Sequence, residues 1–321
     1  MKKILFATTA LVATASVAAA DVNFSGYGRF GIQYNSGADE ADGEKETRLR
    51  SRFRFNIDAN ATTDGGVDFS ARVRLQADDN ADGTAGAASL SGARFTTQYE
   101  GLRVDVGNIS GTVDNLPDFY GFEPGLTAFT GQTSGFNFDD DAFSSTGAGV
   151  NGVFAQYAIG DFAVSGSFSP EETGAGEQWG ISGAYAGDTF AVAVTYSEND
   201  PTGGPDADQI ALGTTSVVAL TASATFGAFS GTLLVGNEDA DNDNGAFDTF
   251  WGLSANYELG TATDIQFSYG DGAGDADTQA FALGFVQDLG GGVDLKGAVG
   301  TFKPGGESSE TFADLGVQFN F

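Results

Sequence analysis

Apolar and polar residues alternate along the chain from Val22 to Phe321. Near the start, Val22, Phe24, Phe30, Ile32 and Tyr34 share one parity, and Asn23, Ser25, Tyr27, Arg29 and Gln33 the other. Val67, Phe69, Ala71, Val73 and Leu75 oppose Asp68, Ser70, Arg72, Arg74 and Gln76 in the same way. So do Trp251, Leu253, Ala255 and Tyr257 against Gly252, Ser254, Asn256 and Glu258, and Leu315, Val317, Phe319 and Phe321 against Asp314, Gly316, Gln318 and Asn320. Period two is the side-chain period of a β-strand, so each run predicts a strand with one apolar and one polar face.

The connections between these runs alternate short and long. Seven are glycine turns, such as "TTDGGVD" (62–68), "YEGLRV" (99–104) and "DLGGGVDL" (288–295). Eight are longer acidic or polar stretches, at 35–46, 78–88, 109–148, 169–177, 198–216, 237–247, 271–277 and 303–311. Fifteen connections join sixteen antiparallel strands with both chain ends at the short-turn rim. Strands of about ten residues with short turns at one rim and long loops at the other predict an all-β transmembrane barrel, whose closure satisfies every backbone polar group in hydrocarbon. A soluble β-sandwich also alternates, but it needs a second sheet to cover each apolar face.

The first twenty residues, "MKKILFATTALVATASVAAA", place two lysines before a short apolar run and end in small residues. They read as a secretory signal peptide (1–20), cleaved before Asp21, leaving 21–321 as a single barrel domain. Their removal takes the formal net charge from -30 to -32. The chain has no cysteine and no histidine, so disulfides, Cys-His and Ser-His-Asp catalysis and His-ligated zinc are all absent. The expectation is that the protein is not an enzyme. Such acidity also argues against nucleic acid as a partner, because phosphates require a basic surface.

A barrel of about sixteen strands is too wide for side chains to fill and keeps an aqueous channel. Charged residues are then cheap on the inner face and cost ~2–4 kcal/mol at the lipid-facing midplane. The stretch "RLRSRFRF" (48–55) obeys this rule, with Arg48, Arg50, Arg52 and Arg54 on one parity and Leu49, Phe53 and Phe55 on the other. All nine arginines lie between 29 and 103, and neither lysine nor arginine occurs from Val104 to Leu295. Arg29, Arg48, Arg50, Arg52, Arg54, Arg72, Arg74 and Arg94, with Arg103, therefore predict one cationic wall along the lumen. The stretch 109–148 is too long for a hairpin and too rich in phenylalanine for a loop in bulk water. It is expected to fold inward and present Asp114, Asp118 and Glu123, with the run Asp139–Asp141 as weaker candidates, to that wall. Opposed charges of this kind order water and orient dipolar solutes. The function predicted is passive diffusion of ions and small hydrophilic solutes. A weak cation preference is expected, because the net charge concentrates cations at both mouths. A substrate-specific sugar or anion channel is the alternative, with a structural or adhesive barrel behind it.

In "DDNADG" (78–83), Asp78, Asn80 and Asp82 stand at alternate positions before a glycine, as in the first half of a calcium-binding loop. The twelfth position is Ser89 rather than glutamate, so this is a candidate for a weak calcium site only. Bridging divalent ions would also let the acidic loops meet lipopolysaccharide at the membrane surface.

The "RSR" of Arg50–Arg52 leading to "TTDGG", the long third loop and the ending "ADLGVQFNF" together resemble the sixteen-stranded general porins of Gram-negative outer membranes, those of α-proteobacteria most closely. The resemblance implies an outer-membrane homotrimer, an eyelet formed by the third loop, and a second loop (78–88) that reaches a neighbouring subunit. It also implies that Phe321 is part of the signal read by the barrel-assembly machinery. The third loop offers "FEPGLTAF" where the enteric pattern has "PEFGG".

Overall fold

The computed structural model describes residues 21–39, 43–127, 131–138, 143–149, 151–170, 177–200, 214–240, 247–272, 278–305 and 307–321. The expected signal peptide and the run Asp139–Asp141 lie outside the described residues. The strands are β1 (Asp21–Asn35), β2 (Thr47–Thr62), β3 (Asp68–Asp78), β4 (Ser89–Leu90), β5 (Arg94–Tyr99), β6 (Leu102–Asn108), β7 (Asn151–Ile159) and β8 (Phe162–Ser169). They continue as β9 (Glu177–Ala186), β10 (Phe190–Asp200), β11 (Thr214–Phe226), β12 (Phe229–Ala240), β13 (Phe247–Glu258), β14 (Thr263–Gly272), β15 (Thr278–Gly290), β16 (Val293–Lys303) and β17 (Glu310–Asn320). Among the described residues no helix is long and apolar enough to cross a membrane.

Each strand pairs antiparallel with its neighbours, and β17 pairs with β1 to close the sheet. The barrel has sixteen staves, because β4 and β5 are two pieces of one. Their break has a local cause. The end of the long third loop enters beside them, so that Gly147 N bonds Leu90 O and Gly92 N bonds Gly147 O, each at 2.8 Å. Ladder groups that would face β6 are used by the loop instead.

Alternation decides which face each residue occupies. Leu49 is 75% exposed, Phe24 61% and Val299 52%, all on the outside, whereas Ser254 is fully buried on the inside. An outer face this apolar suits hydrocarbon and would be costly in water. At the seam Gly28 is in register with Phe319, and a Cβ on Gly28 would lie 2.4 Å from the Phe319 ring. The ring therefore covers the glycine, and it continues into an outer aromatic cluster through Phe321, Phe53, Phe55 and Phe24. The start of β1 and the end of β17 lie at the short-turn rim: Asp21 pairs with Asn60 beside the 63–67 turn, and Phe319 with Val293 beside the 291–292 turn.

The two faces predict opposite responses to one charge. Ile181 is an exposed outer residue in mid-β9, and the next residue, Ser182, points inward to Ser165. Ile181→Arg should lower folding free energy into bilayers by ~2–4 kcal/mol, and Ser182→Arg by much less. Equal losses in a urea-monitored vesicle refolding series would refute the facial assignment.

Candidate functional site

The third loop lies inside the barrel. It leaves β6 at Asn108 and packs first against β8, β10 and β11. Thr112 N bonds Ser167 Oγ (3.1 Å), Thr112 Oγ1 meets Ser197 Oγ (3.0 Å), and Thr221 Oγ1 donates to Pro117 O (2.7 Å). Phe122 N then bonds Ser254 Oγ of β13 at 2.7 Å. The following residues cross to the seam, where the Asp314 carboxylate of β17 accepts Leu126 N (3.0 Å), Thr127 N (2.8 Å) and Thr127 Oγ1 (2.8 Å). The return arm, 131–138, lies over β12–β14. Glu238 of β12 accepts the amides of Asn137 and Phe138 at 2.7 and 2.8 Å.

The sequence makes room for this path. Inner-face residues beneath the loop are small or hydroxylated, including Ala193, Thr195, Ala219, Thr221, Thr232 and Ser254. At Gly252 a Cβ would stand 1.9 Å from the Gln132 carbonyl oxygen, so glycine lets the two backbones touch. Loop residues Val113, Leu116, Phe119 and Phe138 form an apolar cluster with Ala193, Val217, Ala219, Leu234 and Phe250 of the wall. Edge-on ring contacts at 5.1 Å (Phe119–Phe136) and 5.3 Å (Phe136–Phe250) fix it in place. The turn at Asp118 has φ +58°, and its carboxylate accepts Ser223 Oγ at 2.5 Å.

The loop thus lines the wall from β8 to β17, touches β1 at Arg29 and Gln33 and β3–β4 at its end, and leaves the rest of the β1–β6 inner face open to the lumen. Inner-face parity holds for all nine arginines. Arg29 stands in register with Arg52, Arg54 with Tyr27 and Gln76, and Arg72 with Asp58 and Arg94. Most compensation comes from neighbouring strands. Arg52 pairs with Asp78, Arg103 with Asp105, Arg72 with Asp58 (2.5 Å), and Arg50 Nε lies 3.3 Å from Asp79 Oδ2. Arg54 Nε donates to Gln76 Oε1 (2.6 Å) with its guanidinium over the Tyr27 ring, and Arg48 donates to Gln33 Oε1 (3.4 Å). Arg29 Nη1 reaches across the seam to the loop carbonyl of Leu126 at 2.8 Å.

The three candidate loop acids occupy different environments. Asp114 accepts the Tyr120 hydroxyl, and Asp118 is held by Ser223 on β11. Glu123 reaches channel water, yet the protein packed around it raises its carboxyl pKa, an effect opposed by Lys296 and Arg29. Through Arg29, the ionisation of Glu123 senses the arginine wall. Lys296 escaped the sequence argument because it lies far from the other basic residues along the chain. Barrel closure sets its strand beside β17, which in turn pairs with β1, and its lumen parity, between outward Leu295 and the Gly297 that follows, was the available signal. The polar stretch 237–247 reads as a connection, yet Glu238 belongs to β12, whose ladder runs to Ala240. Asp314 was placed on the polar face, with no hint of the loop that it holds.

The Asp78, Asn80 and Asp82 side chains are occupied individually. Asp78 binds Arg52 and Gln76, and Asn80 donates to Thr84 Oγ1 at 3.0 Å. The Thr84 hydroxyl and amide hold the Asp82 carboxyl below the usual carboxylate range. Among the described residues no three acidic side chains are grouped to hold a metal ion.

A closed transmembrane barrel with a wet, charged inner face and an inward loop is a membrane diffusion channel. The sequence profile of Gram-negative porins matches residues 7–306, and the chain belongs to that family. It is 31% identical over 310 residues to a porin of Fuscovulum blasticum, covering 94% of this chain and all of the relative. Solved structures of two substituted variants of the Rhodopseudomonas blastica porin superpose with TM-scores of 0.75 and 0.74 at 26% identity, over 94% of this chain and all of theirs. The protein is a non-enzymatic, multi-pass outer-membrane barrel for passive diffusion. Its homologues are oligomeric.

Two experiments follow from the site. Asp314→Ala and Glu238→Ala each remove hydrogen bonds to a carboxylate, of about 1.5–3 kcal/mol apiece where water does not replace them. Each variant should show added closures in single-channel records and protease cleavage within the loop; quiet, protease-resistant channels would show that these carboxylates do not secure it. Glu123, with a raised pKa, takes up its proton before ordinary carboxylates as pH falls, removing a negative charge from the lumen. Its linkage contribution to stability is present at low pH and lost as pH rises through the folded value. The cation-to-anion permeability ratio should therefore fall on acidification from neutral pH, and Glu123→Gln should reduce that change. An unaltered titration in the variant would assign it to other groups.

Proposed function

We propose that the narrowest passage lies between the third loop and the β1–β6 wall, with the arginines on one side and Glu123 on the other. The observation that carries this reading is the confinement of all nine arginines to the inner face of five neighbouring staves, while the loop packs against the remainder. Water and small polar solutes cross this field with their dipoles aligned, and apolar solutes of equal girth gain nothing from it. Selectivity is weakly cationic. Four arginines are compensated by carboxylates within the wall, and the net -30 of the sequence enriches cations at both mouths.

The unit in the membrane is a homotrimer. Support comes from the apolar outer face of β1–β5, where Phe24, Phe30, Leu49, Phe69 and Phe95 are exposed. The barrel contacts outer-membrane lipid and lipopolysaccharide, and Phe321 serves as the assembly signal.

Planar bilayer recording tests the charge assignment. Wild-type channels should conduct ohmically, with a reversal potential slightly toward the cation equilibrium value in a salt gradient. A unit charge ~8 Å from a permeating ion contributes about 0.5 kcal/mol through water. Arg52→Ala/Arg54→Ala should therefore raise the cation-to-anion permeability ratio by roughly twofold or more per charge, helped by release of Asp78. No shift would remove these two residues from the eyelet, and an anion-selective wild type would overturn the stated preference.

A further inference from the structure

Where β3, β5 and the end of the third loop meet, Arg72, Arg74 and Arg94 surround a cavity of about 20 Å³, with Ser91, Asn108 and Phe143. Arg72 and Arg94 stand directly in register, an arrangement in which like charges repel. Arg72 is compensated by both carboxylate oxygens of Asp58, at 2.5 and 3.0 Å. Arg74 finds only neutral acceptors, Asn56 Oδ1 (3.1 Å) and Ser145 Oγ (2.9 Å), with its guanidinium 5.2 Å from the Phe143 ring centre. Arg94 has no hydrogen bond or ion pair among the described residues.

The other lining groups cannot supply the missing acceptor. Ser91 Oγ is used by Arg74 N and the Gly92 carbonyl, both at 3.0 Å. The Asn108 amide is spent on Ser144, accepting its N–H (2.9 Å) and donating to its carbonyl (2.8 Å). The Asp105 carboxylate, on neighbouring β6, belongs to Arg103. Among the described residues the lining side chains thus present guanidinium donors and no uncommitted acceptor. A guanidinium offers five donors and no lone pair, so only an acceptor from outside can satisfy it. One water needs roughly 10–15 Å³, so a cavity of about 20 Å³ has room for one small ion.

We propose that this cavity binds a single halide-sized anion, held by Arg94 and Arg74 between the inner wall and the end of the third loop. Occupancy neutralises part of the wall, so the resting field of the channel is set partly by a bound ion rather than by protein charges alone. The site is tested on the intact, detergent-solubilised protein. Crystals soaked in sodium bromide should show an anomalous peak in the cavity, and Arg94→Gln crystals should lose it while keeping surface peaks. No peak in the wild type, or an undiminished one in Arg94→Gln, overturns the proposal. A peak that appears only after Asp139, Asp140 and Asp141 are changed to asparagine also overturns it, assigning the cavity to a carboxylate of the chain itself. Should the Arg94 variant fail to fold, thermal unfolding of the wild type decides. At equal ionic strength bromide should raise the midpoint over gluconate, which is too large to enter, and identical midpoints count against the site.

Discussion

Everything in this protein depends on one constraint: a backbone crossing hydrocarbon must pair all its N–H and C=O groups within the protein. The sheet meets it by closing β17 onto β1, and closure fixes the register of every stave. Once register is fixed, period two assigns each side chain to lipid or to water. The apolar outer face and the charged inner face are thus two readings of one hydrogen-bond pattern. A one-residue slip in β2 would place four arginines in lipid and Leu49, Phe53 and Phe55 in the channel, which is why this stave has only one acceptable register.

The inner wall has its own electrostatic problem. Arg29 faces Arg52 and Arg72 faces Arg94 across adjacent strands. At ~5 Å two like charges cost about 1 kcal/mol even through water, and more where the wall displaces it. The wall answers locally, with Asp58, Asp78 and Asp105 supplied by the same strands and Asp79 by the residue that follows β3. An array of nine guanidiniums, four of them paired with carboxylates, has a field that is steep close to the wall and weakens with distance. That profile orients dipoles in a narrow passage without trapping anions along its whole length.

The sequence disclosed the architecture well because the fold rests on a local signal. Alternation, seven tight turns and eight long connections are each visible in windows of ten residues, and the arginine parity follows from them. The loop's inward course was legible from its phenylalanines, which would be poorly placed in bulk water. What escaped were relations made by closure. Lys296 and Arg29 lie far apart in sequence yet both act on Glu123, and Asp314 reaches Leu126 across 188 positions. No local window carries that information. The expectation that loop acids would supply the opposing charge directly was too general. Asp114 and Asp118 satisfy groups of the loop and of β11, and the acids paired with arginine sit beside them in the sheet.

The loop and the barrel seam are mechanically linked. Leu126 and Thr127 bond Asp314 on β17, while Leu126 O and Thr127 Oγ1 accept from Arg29 and Gln33 on β1. Asp314 also accepts the amide of Ala298 on β16, at 3.1 Å. Three consecutive staves and the loop tip therefore share one small polar network, which exists only when β17 has paired with β1. An open sheet offers the loop its apolar bed on β10–β13 but not this anchor. Hydrophobic packing gives the loop a general position, being non-directional and tolerant of sliding. The directional bonds at the seam set its final height. Completion of the barrel and completion of the passage are in this sense the same event: the strand that removes the last sheet edge also brings the carboxylate that fixes the loop.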